Sequence, residues 1–285
     1  MVTPAQRRAV VTDAMARRPL VVHRACRYLG VARSLVRYAM RRTPPAGLVE
    51  RLHEVALQKP RWGSPRLTWR LRRDGWAVNH KRVERLVRVE QLLVGRRPRK
   101  KRVAQPRVPV PVPTRRDERW SMDFVRDTLA DGRPFRIWTL VDDATREAPL
   151  LLVDRSLTAA RVVEALEMLL LVRGCPTAIV CDNGPEFTSL VLDQWAEAHG
   201  IKLAFIQPGK PVQNCFIESF NGKLRDECLS QHHFATLEEA QRIIEQWRQD
   251  YHTDRPHRSL GQQTVAEYAA RFNPAEGHSA VPILR

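Results

Sequence analysis

The sequence predicts a mixed α/β domain preceded by helical segments, and three observations predict this class. Between about residues 117 and 250, three strand-like segments are followed by a helix, a strand, a second helix and a further strand, which is a mixed α/β order. Residues 1–94 instead place apolar residues at helical spacing with Arg and Lys between them. Residues 95–116 carry six cations within 96–102 and then alternate proline with valine, so we expect a stiff basic linker.

The first helical segment covers residues 1–44. Within it, residues 20–42 show two short helical patterns around a turn at Gly30. This pattern fits a helix-turn-helix, and it fits an ordinary helical hairpin with a basic face equally well.

The second helical segment covers residues 45–94. SPRLTWRLRRDGW predicts a helix that stops at Asp74-Gly75, and NHKRVERLVRVEQLL predicts a second helix with Asn79 as its N-cap. We expect a helix-turn-helix DNA-binding domain here. Its exposed cations Lys81, Arg82 and Arg85 would contact either base edges or phosphates, two roles that the sequence does not separate.

The α/β domain is predicted for residues 117–250. WSMDFV, FRIWTLVDD and APLLLVDR are typical of successive strands. A helix ending at Gly174, the buried strand TAIVCD, the helix SLVLDQWAEAHG and the strand IKLAFIQP follow. A strongly periodic helix, TLEEAQRIIEQWRQDYH, closes the domain, and residues 251–285 are predicted to form a basic tail.

Bulk composition excludes several classes of protein. No run of 18 apolar residues appears, so no membrane span is expected, and the N-terminal residues lack the apolar core of a signal peptide. We therefore expect a cytosolic protein. The five cysteines are odd in number and form no C-x-x-C pair, so reduced thiols are favoured over disulfides or a zinc site.

The charge is divided unevenly along the chain. Residues 1–119 hold 31 Lys and Arg against 8 Asp and Glu, whereas residues 120–285 hold 17 against 23. A strongly basic first part is typical of a chain that binds a polyanion, and with the helical patterns above it favours DNA. Improved solubility or nonspecific RNA binding would also account for the charge alone.

Three acidic residues stand out in the second part of the chain. Asp123 lies in a predicted strand, Asp182 directly follows the apolar run TAIVC, and Glu218 lies on a predicted helix, with 35 residues between the last two. Carboxylates on three different elements suit Mg²⁺ or Mn²⁺, and two such ions can hold the attacking and leaving oxygens of a phosphodiester. Solvated surface acids are the alternative, which is least consistent with Asp182 because an apolar run precedes it.

These residues and the segments around them resemble a known family. The order WSMDFV, DGRPFR, VDDATRE, CDNGPEF, PGKPVQN, FIESFNGKLRDECL and YHTDRPHRSLG is similar to the second-frame product of the IS-three family of bacterial insertion sequences, from about residue 45 to about residue 270. The acids resemble the Asp-Asp-35-Glu pattern of DDE transposases and retroviral integrases.

The resemblance implies a fold, a reaction and partners. It implies a ribonuclease-H-like catalytic core with a mixed five-stranded sheet, in which the first and fourth strands are neighbours. Asp123, Asp182 and Glu218 would be the catalytic residues and the ligands of Mg²⁺ or Mn²⁺, as two ions. The implied activity is metal-dependent strand cleavage and strand transfer on insertion-sequence ends and target DNA. Implied partners are further copies of the chain on DNA and a first-frame transposase protein. The implied location is the bacterial cytoplasm, at the nucleoid when the protein is bound to DNA.

Residues near the acids are expected to position DNA. Asn214, Asn221 and Arg225 share a helical face with Glu218, Lys223 flanks it, and Lys210 lies on the preceding loop. Asn214 would otherwise cap the helix, and Asn183 is equally consistent with a common turn. Arg255 and His257 in the basic RPHRSL segment are also expected to contact DNA, His257 having helix capping as its alternative.

Two rival classes remain. A tyrosine recombinase would use His252-x-x-Arg255 and Tyr268, but this reading explains none of the three acids. A catalytically silent DNA-binding partner or regulator of transposition would need no metal, and metal binding and DNA cleavage distinguish it.

Overall fold

The computed structural model describes residues 4–17, 21–36, 45–92, 113–207 and 214–272. Four expectations fall wholly or partly outside these ranges: Lys210 on its loop, nearly all of the basic linker, the second half of the helix predicted at 31–42, and residues 273–285 of the predicted basic tail. The described residues form two compact units, residues 1–52 and residues 53–285, and we describe each by itself.

The first unit is helical. Its small apolar core contains Val11, Ala25 and Cys26, with Val22 and Val36 packed against it. The helices before the sheet, counted through both units, are α1 (Pro4–Arg17), α2 (Val22–Tyr28), α3 (Arg33–Val36), α4 (Leu48–Gln58), α5 (Ser64–Arg73) and α6 (His80–Val89).

The predicted helix pair α5 and α6 is confirmed. Helix α5 ends at Asp74 and Gly75, and Gly75 adopts φ +89°, a left-handed conformation that favours glycine. Helix α6 begins at Asn79, whose side chain accepts a hydrogen bond from the Lys81 backbone N–H. Leu71 and Val87 are among the buried apolar residues, so each helix turns an apolar face inward.

A five-stranded mixed sheet forms the centre of the second unit, in the order β3-β2-β1-β4-β5. Its first three strands are antiparallel, whereas β4 and β5 run parallel to β1, as the predicted order of strands and helices requires. The strands are β1 (Arg119–Thr128), β2 (Pro134–Asp142), β3 (Leu150–Asp154), β4 (Ala178–Cys181) and β5 (Lys202–Phe205).

Helices cover both faces of this sheet. The apolar side chains of α7 and α8 join the cluster that contains Trp120 and Trp138, while those of α9 and α10 join the clusters that contain Phe135 and Tyr251. The helices are α7 (Ala159–Arg173), α8 (Leu190–Ala198), α9 (Cys215–Glu227), α10 (Leu237–Thr253) and α11 (Val265–Ala269). None of the described helices is long and apolar enough to cross a bilayer.

The end of the core differs from the sequence-based boundary. Helix α10 continues across residue 250 to Thr253, and the residues after it fold back to α11. Tyr251, Leu260 and Val265 are buried together, so the first part of the predicted basic tail packs with the core.

His252 on α10 is held in one neutral form. Its Nε2 accepts the Ala148 backbone N–H at 2.9 Å, so the proton lies on Nδ1 and is donated to the Arg248 carbonyl at 2.7 Å. Burial, with the positive charge of Arg248, lowers the pKa of His252 to about 4. The ring therefore stays neutral in the folded protein at pH values where it is protonated in the unfolded chain.

The stability of the core should consequently fall at mildly acidic pH. Because the pKa is lower in the folded state than the ordinary value near 6.5, the unfolded state takes up the proton first as pH falls from about 6.5 to about 4. The free energy of unfolding should lose on the order of 2 kcal/mol over that window through this residue. Denaturant unfolding at several pH values should show a shallower slope for His252→Gln. The matched exposed control, His233→Gln, should keep the parent slope, and equal slopes for all three proteins would contradict the assignment.

Candidate active site

Asp123 and Asp182 are brought to the same level by the parallel pairing of β1 with β4. The last residues paired between these strands are Ser121 and Val180. Asp123 lies two residues further along β1, and Asp182 lies two residues further along the chain, just past the end of β4. Side chains two residues apart in a strand point to the same face. The strand order that we expected for these acids is confirmed.

The Asp123 carboxylate is half-buried and held by two hydrogen bonds. Its Oδ1 accepts the backbone N–H of Phe124 at 2.7 Å, and its Oδ2 accepts the side-chain amide of Asn221 at 2.8 Å. Burial raises the pKa of Asp123, and the negative charges of Asp182 and Glu218 raise it further, in opposition to the two hydrogen bonds. The three predicted acids therefore interact electrostatically across three separate elements.

The loop after β4 fixes Asp182. Its Oδ1 accepts the backbone N–H of Gly184 at 2.9 Å, and a Cβ on residue 184 would lie only 2.9 Å from that oxygen. A side chain at this position would therefore push the Asp182 carboxylate away from where the Gly184 backbone N–H holds it. Asn183, for which we had left the role open, donates its side-chain amide to the Ile206 carbonyl at 3.0 Å and ties the loop to the end of β5.

Glu218 lies in the first turn of α9 and is exposed. Ile217, Phe220 and Leu224 anchor the opposite side of the helix in the core, so the helix direction is fixed by packing. An acid in a first helical turn is also favoured by the partial positive charge of the helix N-terminus. One turn further along, Asn221 reaches Asp123 and links α9 to β1.

The donor set suits a hard cation such as Mg²⁺ or Mn²⁺. All three acids supply oxygen, and their negative charges are of the kind that a divalent cation neutralises. The pKa of Asp123 is raised mainly by burial, and the charges of Asp182 and Glu218 add to that effect. Within the described ranges, no three Asp, Glu, His or Cys side chains already converge as a ready-made metal cage. The chemistry of the residues fits the ion.

A fourth acid, Glu186, lies beside this site, and our sequence reasoning missed its role. Its carboxylate pairs with Arg136 at 2.5 Å, and the hydrogen bond from Arg136 lowers the pKa of Glu186. The Arg136 guanidinium lies over the Phe124 ring at 4.2 Å, and Phe124 stacks on Phe187 at 4.9 Å. The positive charge of Arg136 balances the negative charge of Glu186. Glu186 therefore does not add to the repulsion among the other three acids. The only available signal was the presence of Arg136 and Glu186 in the motifs DGRPFR and CDNGPEF.

The four residues of α9 expected to contact DNA have different surroundings. Arg225 is exposed and Lys223 is half-buried, with its amine bonded to the Ser219 carbonyl and hydroxyl at 2.9 and 2.8 Å. Burial, with the positive charge of Arg255, lowers the pKa of Lys223 to about 7. Asn214 and Asn221 are buried, which favours a structural role for both, although each keeps a side-chain oxygen without a protein partner.

Arg255 and His257 require a correction. Both are buried, and Arg255 donates two hydrogen bonds of 2.7 Å to Glu227. The His257 ring packs edge-on against Tyr251 at 4.7 Å, and burial, with the charge of Arg255, lowers its pKa to about 2. In this conformation neither side chain is available to a phosphate, because both are used to hold the end of α10 against the core. A tyrosine recombinase needs this histidine and arginine to contact the scissile phosphate. Here the His252 ring is bonded to backbone groups of the core and Arg255 is bonded to Glu227.

The expected DNA contacts on α6 remain accessible. Lys81 and Arg85 are exposed and Arg82 is half-buried, on the side of α6 opposite the buried Val83 and Val87. A cationic helix face of this kind is suited to the phosphates or base edges of DNA.

Comparisons with known proteins agree with this architecture. An HTH-like domain model matches residues 46–101, and two integrase core domain models match residues 113–211 and 199–264. The chain aligns at 15% sequence identity and a TM-score of 0.52 with a chain of the simian T-cell lymphotropic virus intasome in complex with PP2A regulatory subunit B56 gamma, covering 83% of this chain and 80% of that one. The fold and site therefore define an integrase-type core preceded by a helix-turn-helix-like domain.

Relatives in bacterial insertion elements narrow the assignment. The chain is 45% identical over 249 residues to the insertion element IS407 uncharacterized 31.7 kDa protein of Burkholderia multivorans, covering 87% of this chain and 90% of the relative. It is 40% identical over 280 residues to the insertion element IS476 uncharacterized 39.2 kDa protein of Xanthomonas euvesicatoria, with coverages of 98% and 81%. A putative transposase InsK for insertion sequence element IS150 of Escherichia coli is 24% identical over 239 residues, covering 78% and 83%. The chain belongs to the transposases of the IS-three family of bacterial insertion sequences, and its function lies in the transposition of such an element.

Replacing Asp123 should stabilise the protein while removing part of the site. Asp123→Asn removes a charge that Asp182 and Glu218 oppose, and rotation of the Asn221 amide would let its unpartnered Oδ1 accept from the new amide. In the absence of divalent ions near pH 7, we expect a gain on the order of 1 kcal/mol in the free energy of unfolding, measured with denaturant.

The chain offers a matched control for this measurement. Asp127 lies four residues further along β1, and its Oδ1 also accepts the next backbone N–H, at 2.8 Å. Asp127→Asn should leave stability nearly unchanged. If Asp123→Asn lowers the free energy of unfolding as much as Asp127→Asn does, or more, repulsion at this site is not significant.

Proposed function

We propose that this chain catalyses divalent-metal-dependent DNA strand cleavage and strand transfer at the ends of an insertion sequence. The observation that carries the proposal is the placement of Asp123 on β1 and of Asp182 at the end of the adjacent β4, beside helix α9, which carries Glu218 and bonds Asp123 through Asn221. Three carboxylates alone repel a phosphodiester, so the site can accept DNA only together with cations.

Asp123, Asp182 and Glu218 would hold the metal, as two ions of Mg²⁺ or Mn²⁺. When bound, such ions polarise the scissile phosphate and stabilise the attacking and leaving oxygens of an in-line displacement. Asn221 orients Asp123 through its 2.8 Å hydrogen bond, and Gly184 orients Asp182 through its backbone N–H. The packed side of α9 fixes the direction from which Glu218 approaches.

DNA binding in this proposal is divided between two surfaces. Lys81, Arg82 and Arg85 on α6 would bind the terminal sequence of the element, and exposed Arg225 on α9 would contact a phosphate near the acids. Lys223 is the weaker candidate near the acids because its pKa is lowered to about 7. Lys210 keeps its expected role as a proposal from sequence. Since two ends must be joined in transposition, we also propose that several copies assemble on DNA, with a first-frame transposase protein as a further partner.

Substitution of the third acid tests the chemistry. Glu218→Gln should abolish cleavage and strand transfer on labelled duplexes that carry the element's terminal repeats, in both Mg²⁺ and Mn²⁺, because one anionic oxygen ligand is lost. DNA binding measured on the same duplexes should be retained. The control Glu197→Gln removes an exposed acid at the end of α8 and should keep parent activity. Equal cleavage by Glu218→Gln and by the parent would refute the catalytic role of Glu218. If the parent binds DNA without metal but does not cleave it, even when the first-frame protein is added, a regulator of transposition would be favoured.

A salt titration tests the contribution of α6 to DNA binding. The double substitution Lys81→Ala and Arg85→Ala should weaken binding and reduce the slope of log affinity against log salt by about two, because each phosphate contact contributes about 0.9. Arg161→Ala on α7 is the control, since it removes a partly exposed cation, paired with Glu164, outside both proposed surfaces. An unchanged slope in the α6 variant would mean that these two residues do not contact phosphates.

A further inference from the structure

Helix α5 is basic like α6, yet its cations are directed toward the protein. Arg66, Arg70 and Arg73 recur at positions i, i+4 and i+7 and therefore share one face of the helix. Each pairs with a carboxylate far away in sequence: Arg66 with Glu227 at 2.8 Å, Arg70 with Asp254, and Arg73 with Glu267.

The loop before α5 adds two more cations to the same contact. Lys59 pairs with Asp250 at 2.5 Å and lies 3.8 Å from Asp254, and Arg61 pairs with Asp226. Five cations therefore meet five carboxylates. The carboxylates form what we call the acidic face of the core: Asp226, Glu227, Asp250, Asp254 and Glu267.

Helix electrostatics explain why the acidic face needs these cations. Asp226 and Glu227 lie at the C-terminal end of α9, and Asp250 and Asp254 lie at the C-terminal end of α10. The C-terminus of a helix carries partial negative charge, so acids there are disfavoured unless cations approach them. The face would also repel DNA if it were left uncovered.

The ion pairs are shared, which makes the contact cooperative. Glu227 is 8% exposed and is bound by both Arg66 and Arg255, and Asp254 is bound by both Arg70 and Lys59. Burial by itself raises the pKa of Glu227, but the hydrogen bonds and charges of Arg255 and Arg66 outweigh it, so the pKa lies below its ordinary value. Loss of one partner from a desolvated pair costs more than loss of an exposed surface pair.

We propose that α5 is a docking helix that holds α6 at a fixed position relative to the catalytic core. Its partner is the acidic face of this same chain, and DNA phosphates do not displace it. Glu218 lies on the same helix as Asp226 and Glu227, about 12 Å away at 1.5 Å per residue. Helix α9 thus carries a catalytic acid near one end and holds the DNA-binding helices at the other.

A distance measurement on the full chain tests the docking without any reaction. Fluorophores attached to azidophenylalanine at Val89 and Leu190, which are 67% and 70% exposed on α6 and α8, report the separation of these helices by single-molecule energy transfer. The parent should show one narrow population at about 0.1 M salt. Arg61→Asp and Asp226→Arg should each lose that population, and the double variant with both changes should regain it because the pair is restored in reverse.

Two controls distinguish loss of docking from loss of folding. Arg88→Glu reverses an exposed charge on α6 and should keep the parent distribution. Circular dichroism should show that each single variant retains its helices and strands. The proposal would be overturned if the narrow population persists in both single variants. It would also be overturned if the double variant is folded but does not show the narrow population.

Addition of terminal-repeat DNA shows whether the contact between α5 and the acidic face is kept or released when DNA binds. The narrow population should persist when DNA binds, since five carboxylates would otherwise be left beside the phosphates. Loss of the population on DNA binding would overturn the proposal and identify the contact as a latch that DNA opens.

The consequence for catalysis rests on the proposed function. If α5 fixes the position of α6, the parent should cut one phosphodiester at a set distance from the terminal repeat, whereas Arg61→Asp should spread the cuts over several positions. The energy-transfer result stands independently of this outcome. Absence of cleavage in every protein, with the docking result as expected, would refute the proposed function and leave the docking intact.

Discussion

The parallel pairing of β1 with β4 is the constraint on which the rest of the site depends. It places Asp123 and Asp182 at one level, although 58 residues separate them in the chain. A shift of one residue in either strand would turn its acid to the other face of the sheet, because side chains alternate. The buried Trp120 and Ile179, which face each other across the two strands, make that shift costly, so the register of the core also sets the geometry of the acids.

The placement of three acids together has a cost, and the surrounding structure offsets it in part. The N–H groups of Phe124 and Gly184 and the amide of Asn221 donate to Asp123 and Asp182. These neutral donors lower the repulsion without supplying positive charge. Arg136, the cation beside the site, is instead paired with Glu186. The protein thereby keeps a net negative charge at the point where a divalent cation fits, a local loss of stability that is expected of a functional site.

Much of the fold could be predicted because strands and helices leave local patterns in the sequence. The three acids could be predicted from those patterns together with the family resemblance. Alternation, apolar runs, helical spacing and glycine stops predicted all five strands and the helices α5 to α10. The surroundings of Arg255 and His257 could not be predicted, because a basic turn looks solvent-exposed in sequence and its partner Glu227 lies 28 residues earlier. Asn221 was placed correctly beside Glu218, but its bond to Asp123 depends on how α9 packs across β1. Pairing between distant charges leaves no periodic signal.

The same limitation explains how two similar basic helices can have different roles. Sequence composition makes α5 and α6 equally suited to DNA, and only the acids at the ends of α9 and α10 distinguish them. Those acids occupy positions where a helix terminus disfavours negative charge, so their presence is understandable only if a cationic partner is always near. The charge asymmetry between the two parts of the chain therefore serves two purposes. Part of the positive charge in the helix-turn-helix-like domain lies on the exposed face of α6, which we propose binds DNA, and part of it pairs with the carboxylates of the core.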